Sequence, residues 1–184
     1  MQIEFDEDFT KAWWDRLLND PVRMNQWLCK LWKTERDGYQ DNIDAAEKYA
    51  TPTDHAYNIF KVTGQDEQRH GQLLFDLLAE RGITPEADEQ PQSLYWTHVY
   101  GIVTDLRSCA AVFALGEELA ARRFAVLHDH PGTPSDVKFF LGKALPDETY
   151  HARSFNRLAG PDAMANALQR HNEAVALLKA PAPR

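Results

Sequence analysis

The chain has 184 residues, is 43% hydrophobic and 26% charged, and carries a net charge of −8. That length and balance predict a single globular domain, 1–184, with a full apolar core; the acidic surplus argues against nucleic acid, whose phosphates call for a basic face. No apolar run approaches the roughly 18 residues that would cross a membrane, and Met1 to Asp6 has neither the basic start nor the apolar stretch of a secretory signal, so a cytoplasmic location is expected.

Apolar residues recur every three or four positions and almost never alternate, which predicts an all-α fold. A short amphipathic helix over about 7–19 carries Phe9, Trp13, Leu17 and Leu18, and Pro21 closes it. A long helix over about 22–49 follows, with Leu28, Trp32, Glu35, Tyr39, Asn42 and Ala46 along one stripe. Thr51-Pro52-Thr53-Asp54 is a break with a capping signal. The next helix, about 54–81, has the stripe Phe60, Gly64, Glu67, His70 or Gly71, Leu74 and Leu78, and Gly82 ends it.

Residues 83–93 form a polar connector. Extended, its eleven residues reach roughly 36 Å, enough for a parallel crossover to the following helix. That helix is predicted over about 94–129, with Val103, Leu106, Ala110, Phe113, Glu117, Ala120, Phe124 and Leu127 in 3-4 spacing. After Pro131-Gly132-Thr133-Pro134 comes a helix over about 135–159, striped by Phe140, Ala144, Glu148, His151, Phe155 and Leu158. Pro146 inside it predicts a kink rather than a stop. Gly160-Pro161 opens a last helix, about 161–179. Cys29 and Cys109 lack C-x-x-C spacing and read as two reduced, buried thiols.

One word occurs twice: Asp66-Glu67-Gln68-Arg69-His70 and Asp147-Glu148-Thr149-Tyr150-His151, both D-E-x-x-H. Residues at i and i+3 share a helix face, so each copy offers a carboxylate and an imidazole pointing the same way. Glutamates stand in the apolar stripes of all four long helices, where a carboxylate is costly unless paired or bound to metal. The chain repeats one plan: a helix with Glu35 and then Glu67/His70, a helix with Glu117 and then Glu148/His151. Glu118 is the alternative to Glu117, although Arg122 at i+4 suits it to a surface ion pair.

This pattern resembles the ferritin-like di-iron carboxylate superfamily, in which two helices each give a Glu and two others each give Glu-x-x-His. The resemblance covers about 22–159 and implies a four-helix bundle, with 7–19 and 161–179 as flanking helices. It implies metal ligation by Glu35, Glu67, His70, Glu117, Glu148 and His151, with Glu67 and Glu148 as bridging, catalytic carboxylates. It further implies that Asp66 supports His151 and Asp147 supports His70, as in the oxygen-activating members, such as the acyl-carrier-protein desaturases and bacterial hydrocarbon monooxygenases. Asp66 to His70 is similar to the D-E-K-R-H of the desaturases. Tyr39, four residues after Glu35, is either a hydrogen-bond donor or radical carrier beside the site, or packing.

The expected function is that of a non-haem di-iron oxidase or oxygenase using O2 on a small apolar or aromatic substrate. The cofactor is two iron ions, with manganese–iron as the variant. No rubredoxin-like C-x-x-C module is present, so an external electron donor is expected; a homodimer is compatible with the sequence. The main alternative is a ferroxidase, iron-handling or peroxide-scavenging protein of the ferritin and rubrerythrin kind. A metal-free helical interaction module is the further one. Most of the five tryptophans read as core or subunit contact; Trp32, Phe113 and Phe124 around a substrate pocket is the less favoured reading.

Overall fold

A computed structural model describes residues 3–86 and 94–179. Among these, 84% are helical and none is in a strand. The helices are α1 (Glu7–Leu18), α2 (Pro21–Tyr49), α3 (His55–Glu80), α4 (Leu94–Tyr100), α5 (Leu106–Asp129) and α6 (Ser135–Lys179).

Local chemistry sets most of the boundaries. Asp6 caps α1 by accepting from the Phe9 amide. Contrary to the expectation from sequence, Asn19 rather than Pro21 ends that helix, and Pro21 opens α2, with Asp20 accepting from the Val22 and Arg23 amides. The helix expected over 94–129 is two helices. Gly101 and the residues to Asp105 leave the helical path, and Asp105 and Ser108 then form a capping box that starts α5 afresh. Val103 therefore lies in the break, packed against the apolar cluster beneath it. α6 runs through Pro146 with helical dihedrals and breaks only at Gly160, where φ is 75° and ψ is 170°, a conformation that favours glycine. Residues 87–93 of the expected connector lie outside the described residues.

The long helices pair α2 with α3 and α5 with α6. Gly64 faces Tyr39 and Asn42 while Gly71 faces Glu35 and Arg36, so α2 and α3 are antiparallel. Phe60 and Phe155 meet at 4.9 Å, and His70 lies against Asp147, so α3 and α6 are antiparallel too. Phe113 against Phe155 and Phe124 against Phe140 give the same sense for α5 and α6. It follows that α3 and α5 run parallel, as a crossover connection requires.

Two apolar layers fill the interior. One gathers Leu28, Leu31, Leu74, Leu78, Phe124, Phe140 and Ala144; the other gathers Ala45, Phe60, Ala110, Phe113 and Phe155. On each long helix the predicted acidic ligand falls between a residue of the first layer and one of the second: Glu35 between Leu31 and Ala45, Glu67 between Phe60 and Leu74. The register on α2 differs from expectation in one place. Leu31 takes the buried position, while Trp32 is half-buried against Phe75 and under the Arg36 guanidinium.

Candidate metal centre

Between the two apolar layers sits a cluster of acids and imidazoles. Glu35 comes from α2, Glu67 and His70 from α3, Glu117 from α5, and Glu148 and His151 from α6. Both histidines have no exposed surface, and Glu35, Glu67 and Glu148 are buried. The donor atoms fall into two groups. In one, Glu35, Glu67, His70 and Glu148 each place a ligand atom within 4.8 Å of the others; in the second, Glu67, Glu117, Glu148 and His151 do the same. Glu67 and Glu148 belong to both.

Close backbone approach makes room for this. A β-carbon on Gly38 would stand 3.3 Å from Glu67 Cγ and Oε2, so a bare residue on α2 lets the α3 carboxylate lie against it. The structure separates the two candidates on α5: Glu117 joins the cluster, while Glu118 pairs with Arg122 at 2.7 Å. Tyr39 packs its ring against Gly64, and among the described residues its hydroxyl makes no hydrogen bond to the cluster.

Each imidazole is held from behind by an aspartate of the opposite motif. His151 Nε2 donates to Asp66 Oδ2 at 3.0 Å, and His70 Nε2 donates to Asp147 Oδ2 at 3.2 Å. With Nε2 committed, Nδ1 is the nitrogen turned to the carboxylates. His70 Nδ1 is 3.4 Å from Glu35 Oε2 and from Glu148 Oε1; His151 Nδ1 is 3.4 Å from Glu67 Oε1. Close as they are, both Nδ1 atoms, Glu35 Oε2 and Glu67 Oε1 complete no hydrogen bond. Buried polar atoms left this way cost free energy unless something satisfies them. Oxygen and imidazole donors converging on shared points are what a metal ion takes, so this buried Glu/His group could hold one.

The electrostatics agree. Burial, reinforced by Glu35 and Glu148, pushes the Glu67 carboxyl well above its usual range. Burial does the same to Glu117, with Glu148 and Glu67 adding to it. Burial opposes charge on His70, yet the carboxylates of Glu148 and Glu35 prevail and push it up to about 11. His151 is likewise raised against its burial by Glu67 and Glu148. Glu148 goes the other way: despite burial, His70 and then Glu117 lower it. Glu67 and Glu117, this close to other acids, hold protons where cations would otherwise balance the charge.

A sequence reading missed three features. Arg69, within the first motif, bonds Asp66 at 2.7 Å and Asp147 at 2.8 Å and so ties both supporting aspartates together at the surface. Its place three residues after Asp66 was a readable signal; its reach to Asp147, 78 residues away, was not. The second feature is a buried pair, Tyr95 and His171, joined at 2.8 Å. The third is a cavity of about 510 Å³ that reaches Glu35, Glu67, Glu117 and Glu148. Phe113 and Phe124 line it as the alternative reading had them, but Trp32 does not; Trp13 and Trp14 of α1 and Trp96 of α4 form its aromatic walls.

Comparison with known protein families, with curated proteins and with solved structures returns no match for this chain.

Proposed function

We propose that the chain is a ferritin-like di-iron oxidase or oxygenase, which uses O2 to oxidise a small apolar or aromatic substrate. The observation that carries this reading is the sharing of Glu67 and Glu148 between two donor groups, each with its own Glu and its own His. Two overlapping sites of this kind suit a pair of ions bridged by two carboxylates. Charge supports a pair over a single ion: two divalent cations balance four glutamates, whereas one would leave two buried negative charges uncompensated. The antiparallel pairs α2/α3 and α5/α6, with α3 parallel to α5, are what a four-helix bundle with one long crossover would have.

Bound iron would supply the oxygen chemistry. The chain's residues supply the rest. Asp66 and Asp147 fix the imidazole tautomers with Nδ1 turned to the carboxylates, where it could bind a metal. Glu35 with His70 would serve one ion and Glu117 with His151 the other, and Glu67 and Glu148 would be shared between them. Phe60, Phe113 and Phe155 on one side, and Phe124 and Phe140 on the other, form apolar layers that flank the cluster. The cavity meets the carboxylates with apolar walls, which favours an organic substrate over iron storage.

The test is O2 uptake by iron-loaded protein supplied with a chemical reductant. An oxygenase gives repeated turnover that depends on an added apolar substrate and yields its oxidised product. Uptake that follows added ferrous iron alone, with ferric product accumulating, assigns a ferroxidase instead.

A further inference from the structure

We propose that the substrate of this site is an amphipathic carboxylic acid, held by its anionic head on Arg123 with its apolar body extending to the acidic cluster. This rests on the di-iron reading for the fate of the bound acid, not for its capture.

Arg123 lies on α5 and lines the same cavity as Glu35, Glu67, Glu117 and Glu148. Its guanidinium sits 4.6 Å from the Trp13 ring centroid and 5.8 Å from that of Trp14, so two indoles of α1 hold it in place. Among the described residues no carboxylate comes within 4.0 Å of it, and no side chain or carbonyl accepts a hydrogen bond from it. The contrast with its neighbour is sharp: Arg122 is satisfied by Glu118. Nor is the chain short of acids, with 28 against 20 basic residues. Burial without a counter-ion pulls the Arg123 pKa below its ordinary value.

A guanidinium presents five N–H donors in a planar fork that matches a carboxylate. Half-buried and without a counter-ion among the described residues, it gains from an arriving anion. The other cations lining the cavity are less suited: Lys179 is paired with Asp6, and Lys30 is exposed. The acidic cluster itself repels an anionic head, which fixes the orientation of such a ligand, head at Arg123 and tail towards Glu117. Arg123 lies six residues beyond Glu117, about 9 Å along the helix axis. An acid with a body of several carbons would span that gap, and a cavity of about 510 Å³ accommodates it.

The experiment uses iron-loaded protein with its metal content measured in the same sample. Decanoate, decan-1-ol and decane-1-sulfonate are titrated while the emission of Trp13, Trp14, Trp27 and Trp96, which line the cavity, is followed. Decanoate is expected to bind roughly tenfold or more tightly than decan-1-ol, as a charge-assisted pair on a half-buried cation should give. Decane-1-sulfonate, an anion that coordinates iron poorly, should keep most of that preference, and Arg123→Gln should abolish it while leaving decan-1-ol binding and metal content unchanged. Equal binding of acid and alcohol overturns the proposal. So does a preference that survives in Arg123→Gln, or one that the sulfonate does not share, since either places the head on the metal. Should Arg123→Gln fail to fold, the sulfonate comparison on the unaltered protein still decides. Selectivity for the acid in protein that takes up no iron would overturn the di-iron reading and leave this one standing; two irons without selectivity would do the reverse.

Discussion

His70 on α3 and Asp147 on α6 are 77 residues apart in sequence, yet His70 Nε2 donates to Asp147 Oδ2 at 3.2 Å. The reciprocal pair, His151 and Asp66, meets at 3.0 Å. Each motif thus supplies both an imidazole and the carboxylate that orients the other motif's imidazole. Asp147→Asn keeps the shape but loses the negative acceptor. Metal affinity should fall about 10- to 100-fold at the His70 position, as loss of an orienting partner typically costs, with the fold retained. Calorimetric titration with ferrous or cobaltous ion under anaerobic conditions checks it, and unchanged affinity would mean that Asp147 is merely a surface partner of Arg69.

Glu67 and Glu35 should behave differently when neutralised. Glu67→Gln removes a donor from both groups and is expected to abolish uptake of both ions, whereas Glu35→Gln removes a donor from one group and should leave one ion bound. Without metal, Glu67→Gln should melt no lower than the unaltered chain, because the amide replaces a carboxyl whose charged form burial and the neighbouring acids already disfavour. The stabilisation that the unaltered chain gains from metal should vanish in it. Calorimetric melting with and without ferrous ion reads both.

Metal uptake should release protons. Glu67, Glu117, His70 and His151 all hold protons to higher pH than their ordinary values, so cations must displace them. The sign follows: affinity rises with pH, and the heat of binding depends on the buffer's ionisation enthalpy. Binding heats identical in phosphate and Tris would contradict this.

Gly116 on α5 is bound to its size by Trp96 of α4. A β-carbon there would lie 2.6 Å from Trp96 Cη2. Gly116→Ala should therefore displace the indole, reshape the cavity wall and destabilise by about 1–3 kcal/mol, the usual cost of overpacking. A urea titration followed by tryptophan fluorescence measures the loss and the altered indole environment together.

His171 makes a second pH-dependent contribution, away from the acidic cluster. It has no exposed surface, shares a hydrogen bond with the Tyr95 hydroxyl through Nδ1, and burial pulls its pKa down to about 4 from an ordinary 6.5. Below pH 6.5 the unfolded chain takes up a proton that the folded chain refuses until near pH 4. Stability is therefore full above 6.5 and lost as pH falls towards 4, by up to about 3 kcal/mol. In urea unfolding, the advantage of the unaltered chain over His171→Gln should shrink by that order between pH 7 and 4.5; a constant difference would contradict the assignment.

What the sequence made legible was whatever depends on helical period. Glu35, Glu67, Glu117 and Glu148 announce themselves as acids in apolar stripes, and the i,i+3 spacing puts His70 and His151 beside two of them. The reciprocal support by Asp66 and Asp147 came from the resemblance to the oxygen-activating di-iron proteins, not from the period. The start of α5 was not foreseen, because the apolar spacing continues from Val99 to Val103 and on to Leu106 while the Asp105–Ser108 capping box interrupts the backbone. Nor was the cavity. Its walls join Trp13 and Trp14 of α1 to Trp96 of α4 and Arg123 of α5, and such long-range juxtaposition leaves no periodic trace. Arg69 shows both sides: its bond to Asp66 follows from helical spacing, its bond to Asp147 from tertiary packing.

The central claim is that Glu67 and Glu148 join two ions into one centre, and the most direct measurement is an anaerobic titration of metal-free protein with ferrous ion, followed by determination of iron per chain. The account predicts saturation at two equivalents, with spectroscopic coupling between the ferrous ions and loss of both in Glu67→Gln. Saturation at one equivalent or fewer, or two uncoupled ions that persist in Glu67→Gln, would contradict it.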